Sequence, residues 1–170
     1  MRPLLAALLL FANSAFAAEK PSELEGVIKS EAPAGCSSFS FLLWDLYDGA
    51  LWTDASTLPG DHYALSLTYK SEFSTEELVN SSIEEMSRMS GRSKGDLQAA
   101  RDQLAGIFPG VQEGDRITAL RTSAQKLDFF FNGKNIGTQT TDVDLFMAIW
   151  LGPDSRDSDG RAALMGGGCG

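Results

Sequence analysis

The sequence predicts an α+β domain: one large antiparallel sheet with its helices gathered on a single face. Three observations predict it. Two separate regions, residues 39–70 and 116–139, read as strands, with apolar residues alternating or running together between turn pairs. Between them lie two stretches, 75–89 and 95–107, whose apolar residues recur at helical spacing. The helices are consecutive in the chain instead of alternating singly with strands, which favours segregation on one side of an antiparallel sheet over a βαβ layering.

Residues 1–17 read as a secretory signal peptide. Arg2 supplies the positive start, Leu4–Phe11 the apolar run and Ala15-Phe16-Ala17 the small-x-small cleavage site. The run is too short to span a bilayer, so no stable membrane insertion is expected after processing, and the expected location is periplasmic. Removing 17 of the 170 residues leaves 153, enough for one domain with a real core. The formal charge of −9 becomes −10 when Arg2 goes. That acidity argues against nucleic acid and against anionic membrane surfaces as partners, while leaving room for an apolar or cationic ligand.

Residues 18–34 are polar and form an N-terminal arm, with a short edge strand expected around Gly26–Lys29. In Phe39–Tyr47 both strand faces are largely apolar, so something must cover both sides of this arm. Asp48-Gly49 reads as the turn to a return arm, Ala50–Thr53. In His62–Lys70, Tyr63, Leu65, Leu67 and Tyr69 share one face. Ser74 with Glu77 forms a capping box for a helix over Thr75–Met89, ended by Gly91. Leu78, Val79, Ile83 and Met86 make its apolar stripe, and Glu76, Glu77, Glu84 and Glu85 its wet side.

A second helix, Gly95–Ile107, is capped by Ser93. Strands over Arg116–Arg121, Lys126–Phe131 and Lys134–Gln139 follow, the last two joined by the Asn132-Gly133 hairpin signal. Thr141 with Asp144 is expected to cap a short helix, Leu145–Leu151. Asp157–Met165 reads as one further helical turn, and residues 166–170 as a flexible tail.

Two cysteines, Cys36 and Cys169, form either one disulfide or two free thiols. His62 is the single histidine, so no metal cluster of cysteine and histidine exists and no cofactor is expected.

Five segments carry a resemblance: LYDGALWTD (Leu46–Asp54), YALSLTYKSEFSTEELVNSSIEEM (Tyr63–Met86), FPGVQEGDRI (Phe108–Ile117), FFFNGKNIG (Phe129–Gly137) and FMAIWLGP (Phe146–Pro153). In this order they resemble the chalcone isomerase-like family, in its exported bacterial branch, over residues 35–165. The resemblance implies an open-faced β-sandwich, with a ligand cleft between sheet and helices. It implies one of two activities: cyclisation of chalcones, or non-catalytic binding of fatty acids.

The family's enzymes use a strand arginine, a strand threonine, a tyrosine and an asparagine to stabilise charge on the substrate ketone. By motif spacing the threonine falls near Leu42, the tyrosine at Phe73 and the asparagine at Asn80, which matches. No lysine or arginine lies between Lys29 and Lys70 to serve as the strand arginine. Leu42 and Phe73 have no hydrogen bond to donate, so catalysis is not expected. The missing arginine also counts against a fatty-acid carboxylate.

The expected role is non-catalytic binding of a small apolar or amphipathic molecule, such as a fatty acid or lipid-derived species. Candidate ligand-binding residues are Tyr47, Tyr69, Lys70, Asn80 and Arg116. Two other functions remain open: an isomerase or lyase acting on an unsaturated carbonyl compound, and an interaction protein with no pocket.

Overall fold

The computed structural model describes residues 18–169. The expected signal peptide, residues 1–17, lies outside the described residues, as does Gly170. Six strands form one antiparallel sheet in sequence order: β1 (Gly35–Phe41), β2 (Trp44–Thr53), β3 (Tyr63–Tyr69), β4 (Arg116–Ser123), β5 (Lys126–Phe131) and β6 (Lys134–Gln139). Helices α1 (Thr75–Ser90) and α2 (Gln98–Ile107) fill the β3–β4 connection, and α3 (Val143–Leu151) and α4 (Ser158–Leu164) follow the sheet. This is the expected α+β open-faced sandwich.

Register sorts the strand residues into two faces. Tyr47 pairs with Tyr69, Leu51 with Leu65, Leu67 with Ile117, and Ala119 with Phe129. These residues face the helices and join Ile83, Met86, Leu104, Phe146 and Met147 in the main core. The opposite face carries Ala50, Trp52, Ala64 and Leu120, and the N-terminal arm covers it with Leu24 and Ile28, both fully buried. The expected edge strand at Gly26–Lys29 is therefore absent. One 3-10 turn, Ser22–Leu24, starts a compact run that puts Leu24 and Ile28 on the same side, because this face needs a lid more than the sheet needs a seventh strand. Glu23 anchors the arm by accepting from Arg116 at 2.9 Å and from the Thr118 hydroxyl.

The first hairpin turns at Leu42-Leu43, not at Asp48-Gly49, which lie inside β2. Asp48 is held there by Ser38 and Lys70. Gly49 serves close packing, since a Cβ on it would sit 3.1 Å from the Phe39 ring. The real turn puts Leu42 at φ 57°, a left-handed conformation that costs a bulky L-residue about 1–2 kcal/mol. Asn132-Gly133 turns as expected, with φ of 48° and 86°.

The α1 capping box forms, and Gly91 closes the helix in the left-handed region. Ser93 and Asp96 exchange hydrogen bonds in a turn ahead of α2, so the helix proper starts at Gln98. At α3 the expected Thr141/Asp144 cap does not form. Asp142 occupies the cap position at φ 55° with its carboxylate on Arg92, while Asp144 accepts from Arg121.

Cys36 and Cys169 are bonded, with Cα atoms 4.9 Å apart. The tail expected to be flexible is tied to β1 by this bridge and by the Cys36 N–H donating to Gly168 O at 3.1 Å.

Candidate functional site

A cavity of about 230 Å³ lies between the inner face of the sheet and the helices. Leu65, Leu67 and Tyr69 of β3, Ile117 and Ala119 of β4, and Phe129 of β5 form its floor. Leu78, Ser81, Ser82 and Glu85 of α1 and Phe146, Ile149 and Trp150 of α3 form its roof, with Phe73 and Phe108 at the connections. From β2 come Leu46 and Tyr47, consecutive residues that both reach it. The register shift opposite Phe39 and Ser40 explains this: Leu46 has no partner in β1, and such a bulge turns two neighbouring side chains to one face.

The lining is mainly apolar, with a few polar groups. Trp150 Nε1–H donates to the Tyr47 hydroxyl at 3.0 Å, which leaves the Tyr47 proton free to be donated. Tyr69 is 6 % exposed, and its hydroxyl finds no hydrogen-bond partner among the described residues. Burial pushes the Tyr47 phenol up to about 12, against the pull of the Trp150 bond, and pushes Tyr69 higher still. Both are therefore neutral donors at any physiological pH. The Ser82 hydroxyl is committed to Leu78 O at 2.7 Å and Ser81 to Glu77 O at 2.9 Å.

Among the described residues Glu85 is the one ionisable carboxylate of the lining, and no lysine or arginine lines it. Arg88 and Arg156 both donate to Glu85. Burial pulls its carboxyl up, but the bonds from Arg156 and Arg88 together outweigh this and hold it below the usual glutamate range. The expected wet helix side thus loses Glu85, which ties α1 to the chain ahead of α4.

Of the five sequence candidates, the structure brings Tyr47 and Tyr69 together at the cavity, their ring centroids 5.7 Å apart. It does not bring the other three. Lys70 pairs with Asp48 at 2.8 Å, and Arg116 pairs with Glu23, both on the sheet face under the arm. Strand alternation puts each one residue out of phase with the inner face. Asn80 faces α2, where it accepts from Arg101 at 2.7 Å. Leu42 is at the hairpin tip, away from the cavity, while Phe73 does line it.

Sequence reasoning missed Ser82, Glu85, Ala119 and Trp150. Ser82 and Glu85 lie four and seven residues after Leu78, on the stripe that faces the sheet, and that spacing was the available signal. The Ala119 position carried no signal of its own. The inner face also holds one buried arginine, Arg121, at the other end of β4. It is spent on Asp144 and on Asp61 O, and stacks over the Tyr63 ring at 5.7 Å.

No family model matches the chain, and no curated protein sequence matches it. Among solved structures, it is similar to the crystal structure of an Arabidopsis thaliana fatty-acid binding protein. The TM-score is 0.63 and the identity 11 %, with 80 % of this chain and 87 % of that chain covered. The likeness is one of fold: the six-stranded open sheet with its layer of four helices is the chalcone isomerase-like fold.

Proposed function

We propose that the protein binds, without catalysis, a small amphipathic molecule whose apolar body fills the cavity and whose uncharged end accepts hydrogen bonds from Tyr47 and Tyr69. The observation that carries this reading is the lining: mainly apolar, with two phenols that have protons to give, a single carboxylate, Glu85, already bonded by Arg88 and Arg156, and no lysine or arginine. An anionic head group taken from water into such surroundings would lose several kcal/mol that nothing there returns, since Arg88 and Arg156 are already bonded to Glu85. A protonated acid, ester, aldehyde or alcohol does not face that cost. The structural neighbour, a fatty-acid binding protein, supports a lipid-derived ligand class. At ~30 Å³ per methylene-sized group, the cavity holds about eight such groups. This is below the ~300–1,000 Å³ of sites for drug-sized ligands, and the cavity is only partly enclosed, so a longer chain would extend out of its open side.

Catalysis of the chalcone isomerase type is disfavoured by the same geometry. Leu42 is outside the cavity, Phe73 has nothing to donate, Asn80 faces away, and no arginine lines the site. Each missing donor is worth about 3 kcal/mol of transition-state stabilisation. The proposal places this binding in the periplasm, on the strength of the N-terminal targeting segment.

Native mass spectrometry of the protein purified from its source tests the reading first, with a co-purified lipid mass expected. Thermal shift with a matched series of about eight to ten carbons, as alcohol, methyl ester and carboxylate, then ranks the head groups. We expect the ester and alcohol to stabilise more than the anion at neutral pH. Silence from the whole series and from mass spectrometry would overturn binding. A tighter carboxylate would overturn the uncharged end, and turnover of a 2′-hydroxychalcone would restore the isomerase.

A further inference from the structure

We infer that the β1–β2 hairpin tip is a docking element for a lipid bilayer interface of low negative charge. Four consecutive apolar side chains stand out there: Phe41 is 64 % exposed, Leu42 84 %, Leu43 99 % and Trp44 68 %. Among the described residues Val27, at 39 %, is the remaining large apolar side chain that is exposed, so the exposure is concentrated at one point. Ser38, Ser40, Asp45 and Ser71 surround the base of the tip and bond to one another or to the hairpin, which leaves the four apolar residues as a separate cap.

The backbone sets this cap at a local cost. Leu42 holds a left-handed conformation that glycine or asparagine would adopt freely. Nothing inside the protein gains from a leucine there, since its side chain meets solvent. An outlier of this kind at an exposed tip points to use outside the chain.

A bilayer fits the tip better than a protein does. The four side chains offer roughly 600 Å² at their observed exposures, taking ~200 Å² for a large side chain. A stable protein interface needs about 800 Å² from each partner. The tip is also narrow and convex, and a bilayer needs no matching groove. Tryptophan favours the water–lipid boundary, and affinity there grows with the apolar area inserted. Phe41 and Trp44 are paired, so insertion buries few unsatisfied backbone groups. Charge selects the kind of surface. No lysine or arginine occurs from residue 30 to 69, Asp45 adjoins the tip and the whole chain is acidic. Anionic head groups would repel it, so a zwitterionic interface is the partner.

The hairpin leads from the tip to the cavity, because Leu46 and Tyr47 follow Trp44 within β2. A docked tip therefore holds the Leu46 side of the cavity close to lipid. This last point rests on the ligand-binding proposal; the docking does not.

Tryptophan fluorescence tests the docking on the mature, disulfide-bonded chain with no added ligand. Trp52 is fully buried, and Trp150, 8 % exposed, lines the cavity, so a vesicle-dependent change that disappears in Trp44→Phe reports the tip. Phosphatidylcholine vesicles are expected to shift the emission to the blue, brominated phosphatidylcholine to quench it, and the protein to float with the vesicles. Added phosphatidylglycerol is expected to weaken all three. Leu43→Ser should reduce partitioning about tenfold or more, with an unchanged melting temperature. Emission indifferent to phosphatidylcholine would overturn the inference. So would a concentration-dependent dimer that Leu43→Ser abolishes, since the cap would then belong to a second copy of the chain. Neither result bears on whether the cavity binds ligand, which the thermal-shift series decides without vesicles.

Discussion

Replacing Ala119 with leucine separates a true cavity from a filled core by the sign of its effect. Ala119 lies in the middle of β4, 6 % exposed, between Leu65 of β3 and Phe129 of β5, and its methyl lines the cavity. Leucine adds three carbons on that side. Each buried methylene is worth about 0.8 kcal/mol, so the gain is about 2 kcal/mol, less about 0.5–1 kcal/mol for fixing the longer side chain. The variant is therefore expected to be about 1–2 kcal/mol more stable in urea unfolding. The same atoms occupy somewhat over a third of the 230 Å³, at ~30 Å³ each. An eight-carbon ester should then bind on the order of tenfold more weakly, or not at all. In a close-packed interior the substitution would instead cost about 1–3 kcal/mol through overpacking. Destabilisation of that size would refute the cavity, and unchanged ester affinity in the folded variant would place the ligand elsewhere.

Tyr69→Phe should weaken binding of the ester about two- to tenfold, the worth of one neutral hydrogen bond, and leave a matched hydrocarbon unaffected; equal losses for both by calorimetry would remove Tyr69 from the polar end. Opening the Cys36–Cys169 bridge, which closes a loop of 133 residues, should lower stability by up to about 5 kcal/mol on the chain-entropy estimate, and a urea midpoint indifferent to reductant would contradict the tethered tail. Burial pushes all three tyrosines upward, Tyr47 and Tyr63 to about 12 and Tyr69 beyond them. The unfolded chain releases these protons near 10, so above that pH it binds fewer protons than the native state, and stability falls as pH rises through the interval up to about 12. Phenolate absorbance should accompany unfolding as seen by circular dichroism; phenolate near pH 10 in a still-native protein would show the rings to be more accessible than drawn.

The sequence made the sheet legible wherever residues on a strand had unlike neighbours. Tyr63–Tyr69 alternates cleanly and was placed within a residue at each end, and Asn132-Gly133 turned where its chemistry says it must. The capping box at Ser74 gave α1 for the same reason: the signal is local and so is its cause. The first hairpin was misread because its true turn carries no turn residue. Leu42-Leu43 looks like strand interior, while Asp48-Gly49 looks like a turn but is held in β2 by Ser38, Lys70 and the Phe39 ring, all distant in sequence. The family's threonine position, which motif spacing sets near Leu42, falls at this tip, outside the cavity. Of the site, the tyrosines could be found because strand parity fixes their face. Lys70 and Arg116 were drawn in by chemistry alone, although the same parity sends them to the other side.

The cavity survives because its frame is stiff. Phe39, Tyr47, Tyr69 and Phe73 follow one another at centroid distances of 5.0, 5.7 and 5.9 Å. Phe108, Phe129, Phe146 and Trp150 do so at 5.1, 5.6 and 5.3 Å. The Trp150–Tyr47 hydrogen bond joins the two runs. Most of these pairs meet edge to face, each contact worth about 0.5–1.5 kcal/mol beyond its area. Turning an interior ring into the gap breaks two such contacts and gains one. The smaller residues Ala119, Ser81 and Ser82 also line the space, and none is long enough to fill it. A sealed void of 230 Å³ would cost on the order of 5 kcal/mol at ~24 cal/mol per Å³, and the open side lowers that by admitting water. An apolar guest recovers what the water cannot. Ligand binding and thermal stability are thus coupled through the same unfilled space, and that coupling is why the three carbons added by leucine at position 119 should raise the second while they lower the first.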